Sequence, residues 1–358
     1  MTTQINLQTR LQTEISVLIE QPGNPELWDQ FVQKHPYGSP FHLMAWQRML
    51  QKTFGHEPHH LVARSVEGDV VGVLPLFLVR SRIFGPMLVS TPHAAYGGPI
   101  ASSDAAKEAL LHRACMLAKD LNVEFLELRN FRNECKEPCL VVKDLYVTFR
   151  QELYEDPEKS MLAIPRKTRA EIREGIRHGL EFKVDEISPR RFFDVYSRNL
   201  RDLGTPAFPP RLFEIGASEF GNNCKIFSVH RKQNLVSAVW TLFYKNEVVP
   251  YFGASIREYN HLAVNNFMYW RLIKYGWEHG YKIFDFGRSK KATGSFAFKK
   301  RWGMQMTDLS YQYFLVRKPC LPDTSPLNPK FALAIRLWRR LPLSITNRVG
   351  PAISMHLV

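Results

Sequence analysis

From His59 to Arg80 the apolar residues fall in two short runs, HHLVARSV and VVGVLPLFLVR, separated by Glu67-Gly68-Asp69. Runs of that length around a Gly-centred polar tip predict a β-hairpin. A turn-rich segment follows, STPHAAYGGPIASS, with Gly97 and Gly98 beside Tyr96. Asp104 then opens a helical pattern over 105–121, and VEFLELR at 123–129 reads as a strand. The same order returns further on. Residues 225–229 and 236–244 form a second hairpin pattern, 248–254 a strand, 264–279 a helix ending at Gly280, and 281–286 a closing strand. The hairpin tips Asn234 and Gly68 lie 166 positions apart, and Phe284 and Phe125 lie 159 apart. Two such similar offsets indicate two copies of one α/β unit, diverged beyond residue identity.

The remaining stretches flank these units. Up to about Leu50 the pattern is helical and irregular, with Trp28, Phe31, Phe41 and Trp46 as core anchors. Between the units, PRKTRAEIREGIRHGL places Arg166, Arg169, Arg173 and Arg177 along one helical face, and Ile172 and Ile176 on another. Like charges in a row repel, so that face either meets an anion or is the solvated side of a docking helix. Past Arg317 comes a proline-rich linker. A helix from Asn328-Pro329 then gathers Phe331, Ala334, Ile335, Trp338 and Leu341 on one side, with Lys330, Arg336, Arg339 and Arg340 around the rest. That helix either packs its apolar face on the body or lies on an anionic membrane. The expected division is 1–150, 151–317 and 318–358.

Composition narrows the class. The 358 residues are 45% hydrophobic and 23% charged, which suits a packed globular chain. Lys and Arg number 48 against 34 Asp and Glu, a formal charge of +14 that favours anionic partners. Five cysteines form no C-x-x-C pair, and the twelve histidines show no ligand-like spacing, so no metal site is expected. The start MTTQINLQTRLQTEI lacks a charged-then-apolar leader pattern, and the longest apolar run, 70–79, is too short to span a bilayer. A cytoplasmic protein is expected, with peripheral contact at the inner membrane face as the alternative for the last helix.

The candidate chemistry sits in YKIFDFGRSKKATGSFAFKKRWG, residues 281–303. An apolar strand ends at Asp285-Phe286-Gly287 and turns into a loop carrying Arg288, Lys290, Lys291, Lys299, Lys300 and Arg301. Phe296, Phe298 and Trp302 are interleaved among them. Gly294 and Ser295 permit a tight bend with free N–H groups, and cations on such a loop suit a phosphate or carboxylate ligand. Asp285-Phe286-Gly287 is not the kinase tripeptide, because no HRD loop precedes it, and the Walker pattern fails after the second glycine. Asp285 is a candidate base, or else a turn cap or the partner of Arg288. Asn265, at the start of the second unit's helix, either caps it or points at a ligand. Tyr251 and Tyr96 offer phenol hydroxyls to a cleft, or pack in the core.

The double unit, the PRKTR helix at 165–169 and FDFGRSK…GSFAFKKRWG resemble the FemAB-like branch of the GNAT acyltransferases. GVLPLFLV, the YGG at 96–98, LELR at 126–129 and LGTP at 203–206 look like its group associated with exosortase/PEP-CTERM and exopolysaccharide systems. The resemblance implies an α/β fold of two tandem GNAT-like lobes, each a mixed or antiparallel sheet flanked by helices, with a C-terminal amphipathic helix. It implies transfer of an aminoacyl or acyl group to an amine of a cell-envelope or exopolysaccharide precursor. By that likeness Phe298-Lys299 places a lysine at the transferred carbonyl. Arg166, Lys167, Arg169 and Arg173 would hold precursor phosphates, and Arg288 and Arg301 those of donor or acceptor.

Two departures bear on the donor. No heptad arm interrupts the second lobe, and the glycine-bearing pyrophosphate loop of ordinary GNATs is replaced by SIREYNHLAVNNF. This weighs against acyl-CoA and leaves aminoacyl-tRNA as the other donor. The open alternatives are a CoA-dependent N-acyltransferase, and a non-catalytic module that grips RNA or an anionic glycolipid.

Overall fold

The computed structural model describes residues 15–19, 24–132, 139–321 and 329–357. Cys135 and most of the proline-rich linker lie outside them. In chain order the first half comprises β1 (Ile15–Ile19), α1 (Pro25–Lys34), α2 (Met44–Phe54), β2 (Glu57–Pro58), β3 (Leu61–Ser65), β4 (Val70–Leu74), β5 (Phe77–Ser81), β6 (Gly85–Val89), β7 (Ile100–Ala101), α3 (Asp104–Asp120), β8 (Phe125–Asn130) and β9 (Val141–Glu152). The second half comprises α4 (Pro157–Ala163), α5 (Arg166–Arg177), β10 (Leu180–Val184), α6 (Pro189–Leu203), α7 (Arg211–Phe220), β11 (Cys224–Arg231), β12 (Asn234–Tyr244), β13 (Glu247–Ser255), α8 (Val264–Glu278), β14 (Ile283–Asp285), β15 (Ser289–Lys290), α9 (Gly294–Lys300) and β16 (Gln305–Leu315). Two helices, α10 (Pro329–Trp338) and α11 (Leu343–Ser354), end the chain.

The fold is α/β with two tandem lobes on one continuous sheet, ordered β10-β11-β12-β13-β14-β9-β16-β8-β6-β5-β2, with β15 beside β9. A small antiparallel sheet, β1-β3-β4-β7, lies apart from it. The expected repeat has a geometric counterpart. In the first lobe β6 and β8 run parallel with α3 between them in sequence, and in the second β13 and β14 run parallel with α8 between them. Each parallel pairing is only two residues deep: Leu88 with Leu126 and Val89 with Glu127, then Glu247 with Ile283 and Val248 with Phe284. Beyond those pairs the strands part, which opens a place in each lobe where backbone and side chains converge without a ladder.

The lobes exchange their closing strands. β9 leaves the first lobe to pair with β14, and β16 leaves the second to pair with β8. The antiparallel β9–β16 ladder then welds the halves together. Neither strand was expected from the sequence, and the division at 150/151 falls inside β9. The single run anticipated over 70–79 is two strands, because Pro75 has no N–H to give a ladder and breaks it between β4 and β5.

One apolar core spans both lobes. Trp46 and Phe41 are fully buried, with Trp46 against Tyr251 at 5.3 Å and Phe220 at 6.4 Å between ring centroids. The N-terminal helices thus bridge the halves, as α2 packs on α7 with Met49 beside Gly216. A second core lies under α5 and α8, where Gly175 leaves room for Phe267. A third lies beneath α3.

Candidate active site

Where β6 and β8 part, residues 90–98 form a loop whose carbonyls at Thr91, His93, Ala94, Ala95 and Gly98 are held by side chains from elsewhere. The Arg129 guanidinium, buried and paired to Glu127 at 2.8 Å, donates to the carbonyls of Ala94 at 3.1 Å and Thr91 at 3.4 Å. Tyr251 donates to His93 O and Tyr311 to Ala95 O, both at 2.5 Å. Two non-glycine residues of the loop, Thr91 and His93, adopt positive φ of 46° and 62°, a strained state that this over-determined bonding holds in place. Gly97 and Gly98 both donate to Arg129 O at 2.9 Å. A Cβ would overlap Thr91 Oγ1 at Gly97 and Asn130 Oδ1 at Gly98, so only glycine fits. The loop therefore delivers Tyr96 in one position.

That position faces the second lobe. Tyr96 donates a short hydrogen bond to the carboxylate of Asp285, which is wholly buried at the end of β14. Asp285 also accepts from Thr148 Oγ1 at 2.9 Å and from the Gly287 amide at 2.7 Å, and it pairs with Arg150 Nε at 3.5 Å. Arg150 in turn makes a short ion pair with Glu247 at the start of β13. Burial, and then the neighbouring Asp285 charge, push the Tyr96 phenol well above its ordinary pKa, so it stays a donor. Burial works against the Arg150 charge, but Asp285 and Glu247 outweigh it. Glu247 is pushed up by burial, with Arg150 opposing and Asp285 adding to the rise. Two carboxylates share one guanidinium, with the Lys299 charge near Asp285 and the Lys245 charge near Glu247.

Tyr96, Arg150 and Glu247 line a cleft of about 570 Å³ whose floor is the Tyr96–Pro99 strip. That volume suits a small-molecule or substrate-headgroup site. Its other walls come from His35 and Tyr37 just after α1 and from Asn130, Phe131 and Arg132 at and beyond the end of β8. Arg150 lies over the Phe131 ring at 5.2 Å, and Arg132 over Tyr37 at 5.6 Å. Lys34, Lys107, Arg132 and Arg150 outnumber Asp104 and Glu247 around it, so the cleft is basic overall. His42 supports the floor from below. Its Nδ1 accepts from the Ser39 amide at 3.2 Å, which leaves Nε2 to donate to Gly98 O at 2.9 Å.

The residues anticipated from sequence separate into three places. Asp285 belongs to the network under the cleft. Lys299 is turned inward, but its ammonium is taken up by the carbonyls of Phe286, Gly287 at 3.0 Å and Arg288 at 3.2 Å, and it does not line the cleft. Burial lowers its pKa to about 8. Asp285 and Lys299 thus hold the same turn from its two ends. Arg288 is enclosed between Tyr146 and Tyr311, 4.8 and 5.7 Å from the ring centroids, and donates to Tyr311 at 2.9 Å. Phe298 packs with Tyr269 and Trp302.

The others do not join the cleft. Tyr251 packs in the core. Asn265 donates to Ser255 Oγ at 3.1 Å, whereas the cap of α8 is Ala263, which offers no side-chain bond. Ser295 is exposed and bonds Thr293, the cap of α9. Arg301 is exposed, and its carbonyl accepts from Thr168 of α5 at 2.7 Å. Arg166 and Arg173 are exposed on α5, and Arg169 is half-buried, with its Nε buried and unbonded.

Sequence reasoning missed Arg150, Glu247 and Arg129. Arg150 sits on the unassigned strand β9, and Glu247 fell in the gap between the runs read at 236–244 and 248–254. Only LELR carried a signal: a glutamate and an arginine two apart on a buried strand face the same side and pair there.

A family model described as an acetyltransferase (GNAT) domain matches residues 166–300. The Lipid II:glycine glycyltransferases of two Staphylococcus epidermidis strains are each 25% identical over 115 residues, 30% of this chain and 28% of the relative. The match thus spans little more than a quarter of those proteins. Among solved structures, a crystal structure of FemX is similar with a TM-score of 0.61 at 15% identity, covering 85% of this chain and 98% of that one. A tandem GNAT protein from the clavulanic acid biosynthesis pathway gives 0.53 at 13% identity, covering 86% and 100%. At such identities these structures establish likeness of fold, that of tandem GNAT proteins.

Proposed function

We propose that this chain is an acyltransferase that moves an aminoacyl or acyl group onto an amine of a cell-envelope or exopolysaccharide precursor bound in the basic cleft. The observation that carries the reading is Glu247. It is a carboxylate on the cleft wall, raised in pKa by its surroundings, and backed by Arg150, Asp285 and Tyr96. An amine that attacks an acyl carbon must lose a proton, and a carboxylate tuned upward is a suitable acceptor near neutral pH. The match of residues 166–300 to an acetyltransferase domain and the likeness to glycyltransferases of Lipid II support the reaction class.

In the proposed reaction the acceptor nitrogen attacks the donor carbonyl, the nitrogen–carbon bond forms, and the bond to the donor oxygen or sulfur breaks. Glu247 takes the proton from nitrogen and the departing group takes one in turn. Lys299 and Asp285 act together from beneath. Lys299 fixes the carbonyls of the 286–288 turn, and the turn sets Asp285 against Tyr96 and Arg150. Arg132 and Arg150 favour an acceptor bearing phosphate or carboxylate. The donor is an aminoacyl-tRNA or an acyl-CoA. The exposed Arg166 and Arg173 of α5 would meet the backbone of a tRNA, and the glycine-free turn before α8 offers less to a CoA pyrophosphate. A lipid-linked acceptor would bring the reaction to the inner membrane face.

The test supplies purified protein with isotope-labelled aminoacyl-tRNA, or with labelled acyl-CoA, together with extracted lipid-linked and nucleotide-linked envelope precursors. Label entering a precursor through an amide bond, and lost in Glu247→Gln, supports the assignment. No incorporation from either donor class overturns it.

A further inference from the structure

The two C-terminal helices have an inner and an outer side, and the inner side uses the stripe that the sequence offered to lipid. On α10, Phe331, Ile335 and Trp338 are half-buried, as is Leu341 just after it, and Ile335 packs against Gly204 at the end of α6. Arg339 donates to Leu203 O at 3.1 Å, and Arg201 of α6 donates to Leu341 O at 3.2 Å. On α11, Thr346, Gly350 and Ser354 are buried, and Gly350 lies against Ala207. Ser81 of β5 donates to His356 O at 3.2 Å. The pair is stapled to the body, so its outer side is fixed in place.

That outer side is apolar and cationic at once. Leu333 and Leu337, one turn apart on α10, are 65% and 54% exposed. Ile345 and Val349, one turn apart on α11, are 45% and 41% exposed. Arg336, Arg340 and Arg348 are exposed beside them. From Thr324 to the last residue the chain holds no Asp or Glu, against Lys330, Arg336, Arg339, Arg340 and Arg348. Scattered surface leucines need no explanation. Two consecutive helices that each present an outward aliphatic pair flanked by arginine, with no acid in the segment, are a different matter.

We propose that the outer faces of α10 and α11 dock on an anionic lipid bilayer, with the four aliphatic side chains in the headgroup layer and the arginines against lipid phosphates. Charge complementarity selects the occupant. An acid-free cationic face suits a negatively charged surface, and the aliphatic pairs require one with an apolar interior beneath the charge. RNA would use the arginines and leave Leu333, Leu337, Ile345 and Val349 without a role. The surface is separate from the cleft, and it stands whether or not the acyltransferase reading does.

The experiment is co-sedimentation of the full chain with vesicles of phosphatidylcholine mixed with phosphatidylglycerol, against phosphatidylcholine alone. The expected result is roughly tenfold or greater preference for the anionic vesicles, weakened by salt. Leu333→Glu with Leu337→Glu is expected to lower binding about tenfold or more, with an unchanged thermal midpoint because both side chains face outward. Arg336→Glu with Arg340→Glu is expected to remove the anionic preference. Equal partition onto both vesicles, binding to neither, double variants that bind like the native chain, or binding to RNA in place of vesicles would each overturn the proposal.

Discussion

Tyr96 and Asp285 come from different lobes, and the phenol of the first donates directly to the carboxylate of the second. The contact ties the strained loop after β6 to the end of β14, the two places where the parallel strands part. Asp285 has four partners and no solvent, so its removal leaves the Tyr96 and Thr148 hydroxyls and the Gly287 amide without their acceptor and Arg150 with Glu247 alone. Asp285→Ala is expected to cost about 3–5 kcal/mol of unfolding free energy, the usual result of breaking a buried pair from one side. Tyr96→Phe should cost about 1–3 kcal/mol, and the double variant less than the sum. Urea unfolding of the four proteins gives the coupling. Strict additivity would mean that the lobes do not communicate through this bond.

Glu247→Gln keeps the shape of the cleft wall and removes the proton acceptor. Turnover should fall by roughly 10²–10⁴-fold with little change in KM. The pH profile supplies the sharper reading. Burial raises the Glu247 pKa, and the acceptor works only when deprotonated. Activity of the native chain should therefore rise with pH through a value above the ordinary glutamate range, and that limb should vanish in the variant. A variant with the same acidic limb would show that another group titrates there.

What was legible in the sequence followed the strength of local patterning. Hairpins with Gly or Asn tips and helices with an apolar face and a glycine stop declared themselves, so a repeat of hairpin, helix and strand was found, although β6, the counterpart of β13, was not read as a strand. The exchanged strands β9 and β16 were not. They form the centre of the sheet, yet Lys143, Asp144, Arg150 and Gln151 on one, and Gln305, Thr307, Asp308 and Gln312 on the other, break any two-residue alternation. Parts of these strands face solvent, where the exposed Asp144 and Asp308 both pair with Lys291, and Arg150 turns to the cleft. The site was half legible for the same cause. Asp285 and Lys299 lie at a strand end marked by its own composition, whereas Arg150 and Glu247 are brought to Asp285 only by the strand exchange.

Lys299 is an ammonium that serves three backbone carbonyls, and its loss leaves them without a donor. Lys299→Met should cost about 1–3 kcal/mol. Its charge also has a pH signature. The folded pKa is lowered to about 8, mainly by burial, against about 10.4 in the unfolded chain. Between those values the unfolded state binds more protons, so this group makes stability rise with pH across that window, by up to about 1.4 kcal/mol per unit. Below pH 8 both states are protonated and the slope disappears. Subtracting urea-unfolding free energies of Lys299→Met from those of the native chain at several pH values above 8 isolates the effect. A flat difference would place the ammonium in water.

The acid side of the stability curve belongs to histidines of the first lobe. Burial lowers His42 and His56 to about 4 and His60 to about 3. His42 cannot accept a second proton without opposing the Ser39 amide that its Nδ1 accepts, and the same conflict meets His60 Nδ1 at the Leu76 amide, 3.2 Å away. In the unfolded chain these rings titrate near 6.5. As pH falls from 6.5 toward 4 the unfolded state takes up protons and the folded state does not, so stability declines by about 1.4 kcal/mol per unit for each ring. From pH 6.5 to 5 the three together should remove on the order of 5 kcal/mol, because the slope is only half its limit at pH 6.5, and the loss is reduced by acids such as Asp29 and Glu247 whose raised pKa values act in the opposite sense. Because His42 holds Gly98, the cleft floor should loosen with this titration. Hydrogen exchange at the Gly97 and Gly98 amides should therefore quicken between pH 6.5 and 5, after correction for the intrinsic rate, while amides of the β11–β12 hairpin keep their protection. Equal loss of protection in both lobes would mean that acid unfolds the sheet as one unit, without a weaker first lobe.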